Sequence, residues 1–373
     1  MSGKTAADRS AYSASGVDVA AGDRAVDLMR ASVASTMRPE VLGGLGGFGA
    51  AFSIPPGYRE PVIVASTDGV GTKTAIARAL GRLDTIGVDL VAMCADDVVC
   101  SGAEPVAFLD YIAIGRLVPE HVAALVEGIA EGCRQAGAAL VGGETAEHPG
   151  LMAPDEFDLA GFCIGVGERS RLLDGSAARA GDAIVGLASS GLHANGYSLV
   201  RKIVADHGLA LDATFHDAAL RAGVPTQEAI ADATLGDVLL TPTRIYARDV
   251  LAIREALASA GHELRGVAHI TGGGLPGNAP RALPEHLGAR LDPTSWPVPP
   301  AIRLVASLGR LDGPQLRATF NAGIGMALVV PPAAAGPTVE IAMARGVPAW
   351  VIGDVREAPA LGGKRYMEEA RSA

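Results

Sequence analysis

Residues 66–74 of the chain read STDGVGTKT and bring a carboxylate, two glycines and a lysine close together. They follow the apolar run PVIVAS, which predicts a β-strand. Asp68 is a hard oxygen donor suited to Mg²⁺, and Lys73 supplies a mobile positive charge. Gly69 and Gly71 let backbone amides approach phosphate oxygens. The segment therefore predicts a strand tip that holds a metal-bound polyphosphate, such as the tail of a nucleoside triphosphate.

Two better-known nucleotide motifs fit this sequence less well. A Walker A loop needs four residues between its first glycine and a Gly-Lys-Ser/Thr, and no such run occurs. Residues 43–49 (GGLGGFG) match the dinucleotide pattern once, at Gly44, Gly46 and Gly49. That pattern requires a strand before the glycines and a helix after them, and the flanking MRPE and AAFSIPP predict neither. We interpret these glycines, with Gly47, as a loop that closes over a ligand.

Further acidic residues are candidates to complete a magnesium site, because Mg²⁺ takes about six oxygen ligands, several of them from phosphate or water. In a helix predicted over residues 85–101, Asp89 and Asp96 are seven positions apart and share a face. Asp97 is adjacent to that pair. A solvated helix face is the alternative for these acids, and the sequence leaves it open.

A second acidic group lies in GGETAE at residues 142–147. Two glycines after a strand predicted over residues 138–141 let the backbone turn sharply. We expect that turn to deliver Glu144 to the sheet edge where Asp68 also emerges. Glu144 is therefore our second predicted metal ligand.

The second half of the chain contains two candidate phosphate or proton sites. In SSGLHANGYS, His193 and Asn195 lie on a loop before a predicted helix, where an imidazole can move protons or bind phosphate. A structural histidine is the alternative. Farther on, Thr271, Gly272 and Gly273 precede another predicted helix, whose free N–H groups suit a phosphate monoester. A plain flexible turn is the alternative there.

The elements that must position these groups alternate along the chain. In the first half we predict strands at residues 62–66, 105–115, 138–141 and 158–167 and helices at 72–81, 85–101 and 119–136. In the second half we predict an apolar run at 183–188, helices from 195 and at 245–258 and 273–282, and strands near 326–330 and 350–352. This alternation is typical of an α/β or α+β fold.

The length predicts more than one domain, because 373 residues exceed a typical single core. We predict a flexible N-terminal arm with the glycine loop over residues 1–50. A nucleotide-binding, metal-binding and dimerisation domain follows over residues 51–175. A C-terminal α/β domain, its sheet flanked by helices, covers residues 176–373, with the boundary placed in a charged, alanine-rich linker.

Composition excludes several classes of function. The 31 basic and 41 acidic residues give a net charge of −10, so no overall basic field attracts nucleic acid or an anionic membrane. The first residues lack the apolar centre of a secretory signal, and the longest uncharged stretch is interrupted by Pro331 and Pro332. We interpret the four scattered cysteines as reduced thiols in the core. We therefore expect a cytoplasmic enzyme without nucleic-acid or membrane partners.

Ordered motifs run through nearly the whole chain and together resemble one family. They include GVD at residues 16–18, RPE at 38–40, DGVGTK at 68–73, GAEP at 102–105, GGETAE at 142–147, HANGYSL at 193–199, LTPTRIY at 240–246, TGGG at 271–274 and TFN at 319–321. The series resembles the phosphoribosylformylglycinamidine cyclo-ligases, also called aminoimidazole ribonucleotide synthetases, of de novo purine synthesis.

This resemblance implies an activity and an assembly. The implied enzyme uses ATP to convert formylglycinamidine ribonucleotide into aminoimidazole ribonucleotide, releasing ADP and phosphate. The implied assembly is a homodimer whose N-terminal mixed sheets pair into a central barrel, with ATP near that interface.

The resemblance also implies roles for the residues singled out above. The predicted metal ligands are Asp68, Asp97 and Glu144. The predicted catalytic residues are Asp68, Lys73 and His193, with His193 moving protons or orienting the substrate. The predicted cofactor contacts are Gly44, Gly46, Gly47, Gly49, Gly69, Gly71, Thr72, Lys73, Asn195, Thr271, Gly272 and Gly273, of which the last three, with Gly274, would hold the 5′-phosphate of the substrate.

Two departures from the family pattern bear on the site. Asp96-Asp97 stands where the family commonly has Asn-Asp, so the metal role passes to Asp97 and the role of Asp96 stays open. Ala322 follows Asn321 where some relatives carry Cys, which argues against an essential thiol there. The sequence also leaves open whether a monovalent cation such as K⁺ joins ATP and Mg²⁺, and which residue is the base for ring closure.

Rival interpretations come from related and unrelated classes. A selenophosphate synthetase is disfavoured, because a reactive Cys or selenocysteine is expected near its N-terminus and the first cysteine here is Cys94. A thiamine-phosphate kinase belongs to the same superfamily and stays an alternative. A non-catalytic nucleotide sensor is a further alternative, which ADP release in the presence of substrate would exclude.

Overall fold

The computed structural model of the chain describes residues 19–43, 46–225 and 228–370, which form two main β-sheets with helices packed against them. The N-terminal half contains α1 Val19–Ala34, β1 Val41–Leu42, β2 Ala51–Phe52, β3 Pro61–Gly69, a 3₁₀ turn Gly71–Lys73, α2 Thr74–Leu80, α3 Ile86–Cys100, β4 Glu104–Ile114, α4 Pro119–Ala136, β5 Ala139–Glu147 and β6 Phe157–Glu168.

The N-terminal sheet has the strand order β3-β6-β4-β5. β4 and β5 are parallel and joined through α4, whereas β6 is antiparallel to both β3 and β4. α3 covers one face of this sheet and is buried over almost its whole length, which explains its nearly continuous apolar sequence. The backbones of α3 and α4 are in close contact at Gly87. A Cβ on this residue would lie only 2.2 Å from the backbone nitrogen of Ile129, so no larger residue fits there.

The C-terminal half builds a six-stranded sheet of order β12-β9-β11-β7-β10-β8. Its elements are β7 Ala183–Ala188, α5 Tyr197–Asp206, α6 Phe215–Arg221, α7 Glu228–Ala231, α8 Leu235–Leu239, α9 Ala247–Ser259, β8 Gly266–His269, α10 Gly274–Asn278, β9 Leu287–Leu291, α11 Pro300–Leu308, α12 Gly313–Thr319, β10 Ile324–Val330, α13 Ala335–Ala344, β11 Ala349–Glu357 and β12 Tyr366–Glu368. Buried side chains of both halves belong to one continuous core. The predicted α+β class with a mixed N-terminal sheet is confirmed.

The predicted flexible arm over residues 1–50 is wrong for the part that forms α1. This helix packs on α4, with Ala25 and Val33 buried and Met29 against the core. The i, i+4, i+8 spacing of these three residues was the missed signal. Residues 1–18 lie outside the described part of the chain.

The predicted turn after residue 141 is also wrong. β5 continues through Gly142 and Gly143 to Glu147, so Glu144 lies within an edge strand and not on a loop. Gly143 is required because a Cβ there would lie 1.6 Å from Oδ1 of Asp110 on β4. Gly143 therefore makes room for a neighbouring carboxyl group, and the strand continues past both glycines.

The face of the N-terminal sheet opposite α3 exposes large apolar side chains. Ile63, Tyr111 and Phe162 on three neighbouring strands are 53%, 41% and 42% exposed. Leu109 and Ile164 lie partly buried beside them. Such a contiguous apolar face on a regular sheet is typical of a surface that another protein surface covers.

Within residues 19–43, 46–225 and 228–370, no helix has both the length and the apolar character needed to cross a bilayer.

Replacing Gly143 by alanine is predicted to destabilise the protein, because its new methyl group would collide with the Asp110 carboxyl group. We expect the free energy of unfolding to fall by about 1–3 kcal/mol, the usual cost of overpacking. Gly142→Ala is the matched control, since the nearest atom to its Cβ would be 3.9 Å away. Urea unfolding of both variants checks this, and equal losses would contradict the assigned register of β4 and β5.

Candidate nucleotide and metal site

The tip of β3 and the start of α5 form opposite walls of a cavity of about 420 Å³. Among the predicted site residues that line it are Asp68, Gly69, Gly71, Thr72 and Asn195. The hydroxyl groups of Thr72 and Ser198 lie 3.1 Å apart and join the two walls. Gly196 has a φ of 88°, which turns the chain into α5 and leaves the first amides of this helix at the cavity. A helix N-terminus facing this cavity suits a phosphate group.

Asp68 and Asp97 form the charged centre beside this cavity. Partial burial raises the pKa of Asp68, the N–H of Gly69 at 2.7 Å opposes that rise, and the charge of Asp97 adds to it. Nδ1 of the buried His269 lies 3.0 Å from Oδ1 of Asp97 and fixes this carboxylate on α3. Two carboxylates that repel each other favour a cation between them.

This pair fits part of a magnesium site. Asp68 and Asp97 supply hard oxygen ligands, and phosphate oxygens and waters commonly complete the coordination of Mg²⁺. Within the described residues, no group of three or more His, Cys, Asp or Glu side chains is arranged to hold a metal ion. The two carboxylates alone therefore do not form a closed protein site.

Glu144 does not join Asp68 within one chain. β3 and β5 are the two edges of the sheet, three strand spacings apart, which is about 14 Å. The register places Asp68 in the row of Gly161 under α3, whereas Glu144 lies in the row of Tyr111 on the opposite face. The expected convergence at one sheet edge is wrong for a single subunit.

Glu144 instead lines a second cavity of about 430 Å³ at the β5 edge. Gly46, Gly47 and Gly49 of the predicted glycine loop line the same cavity, together with apolar side chains of α1. Gly44 lies outside the described residues. Seven of the twelve predicted cofactor residues thus divide between these two cavities, whereas Lys73, Thr271, Gly272 and Gly273 line neither.

Lys73 is not a mobile cation at the strand tip. Its side chain is fully buried, and its Nζ lies 2.8 Å from Oδ1 of Asp89 and 2.7 Å from the carbonyl oxygen of Thr241. Burial lowers the pKa of Lys73, and the charge of Asp89 opposes that effect. The predicted direct contact with phosphate does not fit this arrangement.

His193 is buried beside Tyr246 and accepts a hydrogen bond at Nε2 from the N–H of Ser190, at 3.2 Å. Burial holds the pKa of His193 well below its usual range, and the nearby cation Lys73 acts in the same direction. The contact with Ser190 acts in the same direction as burial, because a ring nitrogen that accepts a hydrogen bond carries no proton. The buried ring fits the structural alternative for His193, and its role in proton transfer or substrate orientation stays a prediction.

The acids on α3 that the sequence left unassigned bind backbone of the C-terminal half. Asp89 accepts from the N–H of Thr243 at 2.9 Å, and Asp96 accepts from the N–H of Tyr246 at 2.8 Å. Burial raises the pKa of Asp96 to about 7. Their seven-residue spacing was the visible signal, because it places both on one face of α3.

The 271–274 loop is shaped by Asn278, which the sequence did not single out. Its Nδ2 donates to the carbonyl oxygens of Gly272 at 3.1 Å and Gly274 at 2.9 Å. A Cβ on Gly272 would lie 3.4 Å from Oδ1 of Asn195, so this loop lies next to the first cavity.

Two domain families match the chain: the N-terminal domain of AIR synthase related proteins over residues 50–167 and the C-terminal domain over residues 179–364. A phosphoribosylformylglycinamidine cyclo-ligase of Geobacillus kaustophilus is 51% identical over 92% of this chain and 95% of its own length. A protein of the same name from Myxococcus xanthus is also 51% identical, over 92% and 95%. The chain is thus an AIR synthase related protein with both domains. It belongs to the phosphoribosylformylglycinamidine cyclo-ligase family.

Solved structures of other proteins share the fold. Thiamine-monophosphate kinase from Stenotrophomonas maltophilia superimposes with a TM-score of 0.63 at 18% identity, over 94% of this chain and 97% of that one. The hydrogenase maturation protein HypE in complex with ATP gives 0.59 at 20% identity, over 94% and 91%. At these identities the likeness establishes the architecture alone.

The buried His193 predicts a specific pH dependence of stability. The unfolded chain binds a proton at this residue below pH about 6.5, whereas the folded chain does not, so the free energy of unfolding falls as the pH falls. We expect His193→Gln, which keeps an acceptor for the Ser190 N–H, to remove up to about 1.4 kcal/mol per pH unit of this slope below pH 6.5. Urea titrations from pH 7 to 5 measure it.

The exposed His286 provides the control for this experiment. His286→Gln should retain the part of the slope that comes from the buried His193. An equal slope in the wild type and His193→Gln would contradict the neutral, buried state of His193.

Proposed function

We propose that the chain is an ATP-dependent cyclo-ligase that converts formylglycinamidine ribonucleotide into 5-aminoimidazole ribonucleotide, with release of ADP and phosphate. The observation that carries this proposal is the 51% identity to proteins of that name over 92% of the chain. The cavity between Asp68 and Asn195, with helix amides and carboxylates around it, supports the use of a nucleotide triphosphate.

The chemistry solves a leaving-group problem. The oxygen of the formyl amide leaves poorly, so it first attacks the γ-phosphorus of ATP and releases ADP. The ribose-bearing amidine nitrogen then attacks the formyl carbon, and the oxygen leaves that carbon as part of inorganic phosphate. Each step conserves atoms, with the oxygen of the formyl group ending in the phosphate released.

Residues around the first cavity divide the work of binding. Asp68 and Asp97 would hold Mg²⁺, which when bound neutralises charge on the triphosphate. Gly69, Gly71 and Thr72 provide backbone and hydroxyl groups at the strand tip. The 271–273 loop, shaped by Asn278, would hold the 5′-phosphate of the ribonucleotide.

A homodimer explains why the predicted residues divide between two cavities. If β5 of one subunit meets β3 of the other, Glu144 and the glycine loop of one subunit approach Asp68 of its partner. The exposed apolar face around Ile63, Tyr111 and Phe162 supports a barrel of two such sheets. ATP would then lie between subunits, with Glu144 as a third carboxylate.

Two further points belong to this proposal. The four cysteines are free thiols, and Cys94, Cys133 and Cys163 are buried, which supports a reducing, cytoplasmic location. A monovalent cation such as K⁺ is a candidate second ion, because the carboxylates and phosphates at the site exceed the charge of one Mg²⁺.

Asp68→Asn tests the metal role, because it removes the charge and weakens one oxygen ligand. We expect kcat for ADP release with formylglycinamidine ribonucleotide to fall on the order of 10²–10³-fold, with a higher Mg²⁺ requirement. Asp206→Asn, an exposed acid paired with Lys202, is the control and should retain activity. Full activity of Asp68→Asn at ordinary Mg²⁺ would remove this residue from the site, and a wild type that releases no ADP would refute the proposed reaction.

Mixing two inactive variants tests the shared site. In a mixed dimer of Asp68→Asn and Glu144→Gln, one site keeps both carboxylates and the other loses both. Random exchange makes half of the dimers mixed, so we expect the mixture to recover about a quarter of wild-type activity. Subunit exchange in mild denaturant followed by an ADP assay measures this. Recovery no greater than in either variant alone would contradict sharing between subunits.

A further inference from the structure

The two halves of the chain meet at a fully buried ion pair. Lys73 Nζ and Asp89 Oδ1 are 2.8 Å apart, and both side chains are 0% exposed. Lys73 lies at the end of the turn that follows β3, and Asp89 lies in the first turn of α3. Both residues belong to the N-terminal half, but their remaining polar contacts lie in the C-terminal half.

The contacts of this pair converge on one segment of the C-terminal half. The Lys73 ammonium donates to the carbonyl oxygen of Thr241 at 2.7 Å. Thr243 donates to Asp89 Oδ1 from its N–H at 2.9 Å and from its hydroxyl group at 2.5 Å. The ammonium also lies 5.4 Å from the ring centre of Tyr197, within cation–π range.

These partners place the pair behind both walls of the first cavity. Lys73 follows directly on Asp68, Gly69, Gly71 and Thr72, which form one wall. Tyr197 begins α5, whose N-terminus forms the other wall. Burying the pair is costly unless its geometry and hydrogen bonds are complete, and Asp89 Oδ2 has no hydrogen-bond partner in the described part of the chain.

We propose that Lys73 and Asp89 form an interdomain latch: the ion pair, with Thr241 and Thr243, sets the distance between the β3 tip and the start of α5 and so positions the groups that bind MgATP. Lys73 is then a positioning residue that does not touch phosphate. This inference rests on the proposed use of ATP, but its structural part holds for any ligand of this cavity.

Replacing the pair by apolar residues distinguishes the proposed latch from a direct contact between Lys73 and phosphate. Lys73→Met leaves a buried carboxylate unpaired, and Asp89→Leu leaves a buried ammonium unpaired, whereas the double variant leaves neither. We expect each single variant to lower the urea midpoint and to weaken MgATP binding, measured by calorimetry, about tenfold, a usual coupling between sites. The double variant should recover most of both losses, because it restores a packed contact between the halves.

Hydrogen exchange provides a readout that needs no nucleotide. In Asp89→Leu, the amide of Thr243 and the amides of residues 68–72 should exchange faster than in the wild type, since the latch couples the two segments. The exposed pair Lys202 and Asp206 gives matched controls, Lys202→Met and Asp206→Leu, which should change neither exchange nor MgATP binding. If the wild type shows no cyclo-ligase activity, the proposed function is refuted, but the hydrogen-exchange test of the latch keeps its meaning.

Three outcomes would overturn the latch. MgATP binding retained in Asp89→Leu but lost in Lys73→Met would assign Lys73 to phosphate. A double variant that folds as stably as the wild type but does not bind MgATP would also assign Lys73 to phosphate. The double variant gives this answer even if Lys73→Met alone fails to fold. Unchanged MgATP binding in folded single variants would reduce the pair to a purely structural contact.

Discussion

Carboxylates on α3 hold the two halves of the chain together, and the arrangement of the site depends on that contact. Asp89 and Asp96 emerge from one face of a helix that is largely apolar and buried. Each accepts a backbone N–H from the segment 243–246 of the C-terminal half. Breaking these bonds would leave buried polar groups without partners, so the contact favours one relative position of the two halves. The shape of the cavity between β3 and α5 depends on this relative position, because its two walls belong to different halves.

Much of the fold could be predicted from the sequence, because its elements have strong periodic patterns. α4 begins and ends at the predicted residues, and β3, β4, β6 and α3 differ from the predictions by a few residues. The errors arose at glycines, because a glycine either allows the chain to turn or makes room for an atom of a neighbouring strand. Gly142 and Gly143 were interpreted as a turn, but both lie within β5, and Gly143 clears space beside Asp110. A single sequence does not show which atoms approach a glycine from another strand.

The site was predictable in its residue types and less so in its geometry. Residues 68–72 and Asn195, which were singled out from the sequence, line one cavity. Lys73 and His193 carry the chemistry expected of catalytic groups, but both are buried. Lys73 donates to the carbonyl oxygen of Thr241, and the His193 ring lies beside that of Tyr246. Their burial depends on the C-terminal segment 241–246, and no local pattern around either residue reveals that contact.

The contact between α3 and α4 has a mechanical consequence. Gly87 and Gly128 let the two backbones touch, so α3 cannot slide along its neighbour without a collision of main-chain atoms. Asp89 and Asp97 are eight residues apart on this helix, which is about 12 Å along its axis. A displacement at one end is therefore transmitted to the other instead of being absorbed. α3 thus acts as a rigid element that links the contact between the two halves, at Asp89, to Asp97, the carboxylate proposed to hold Mg²⁺.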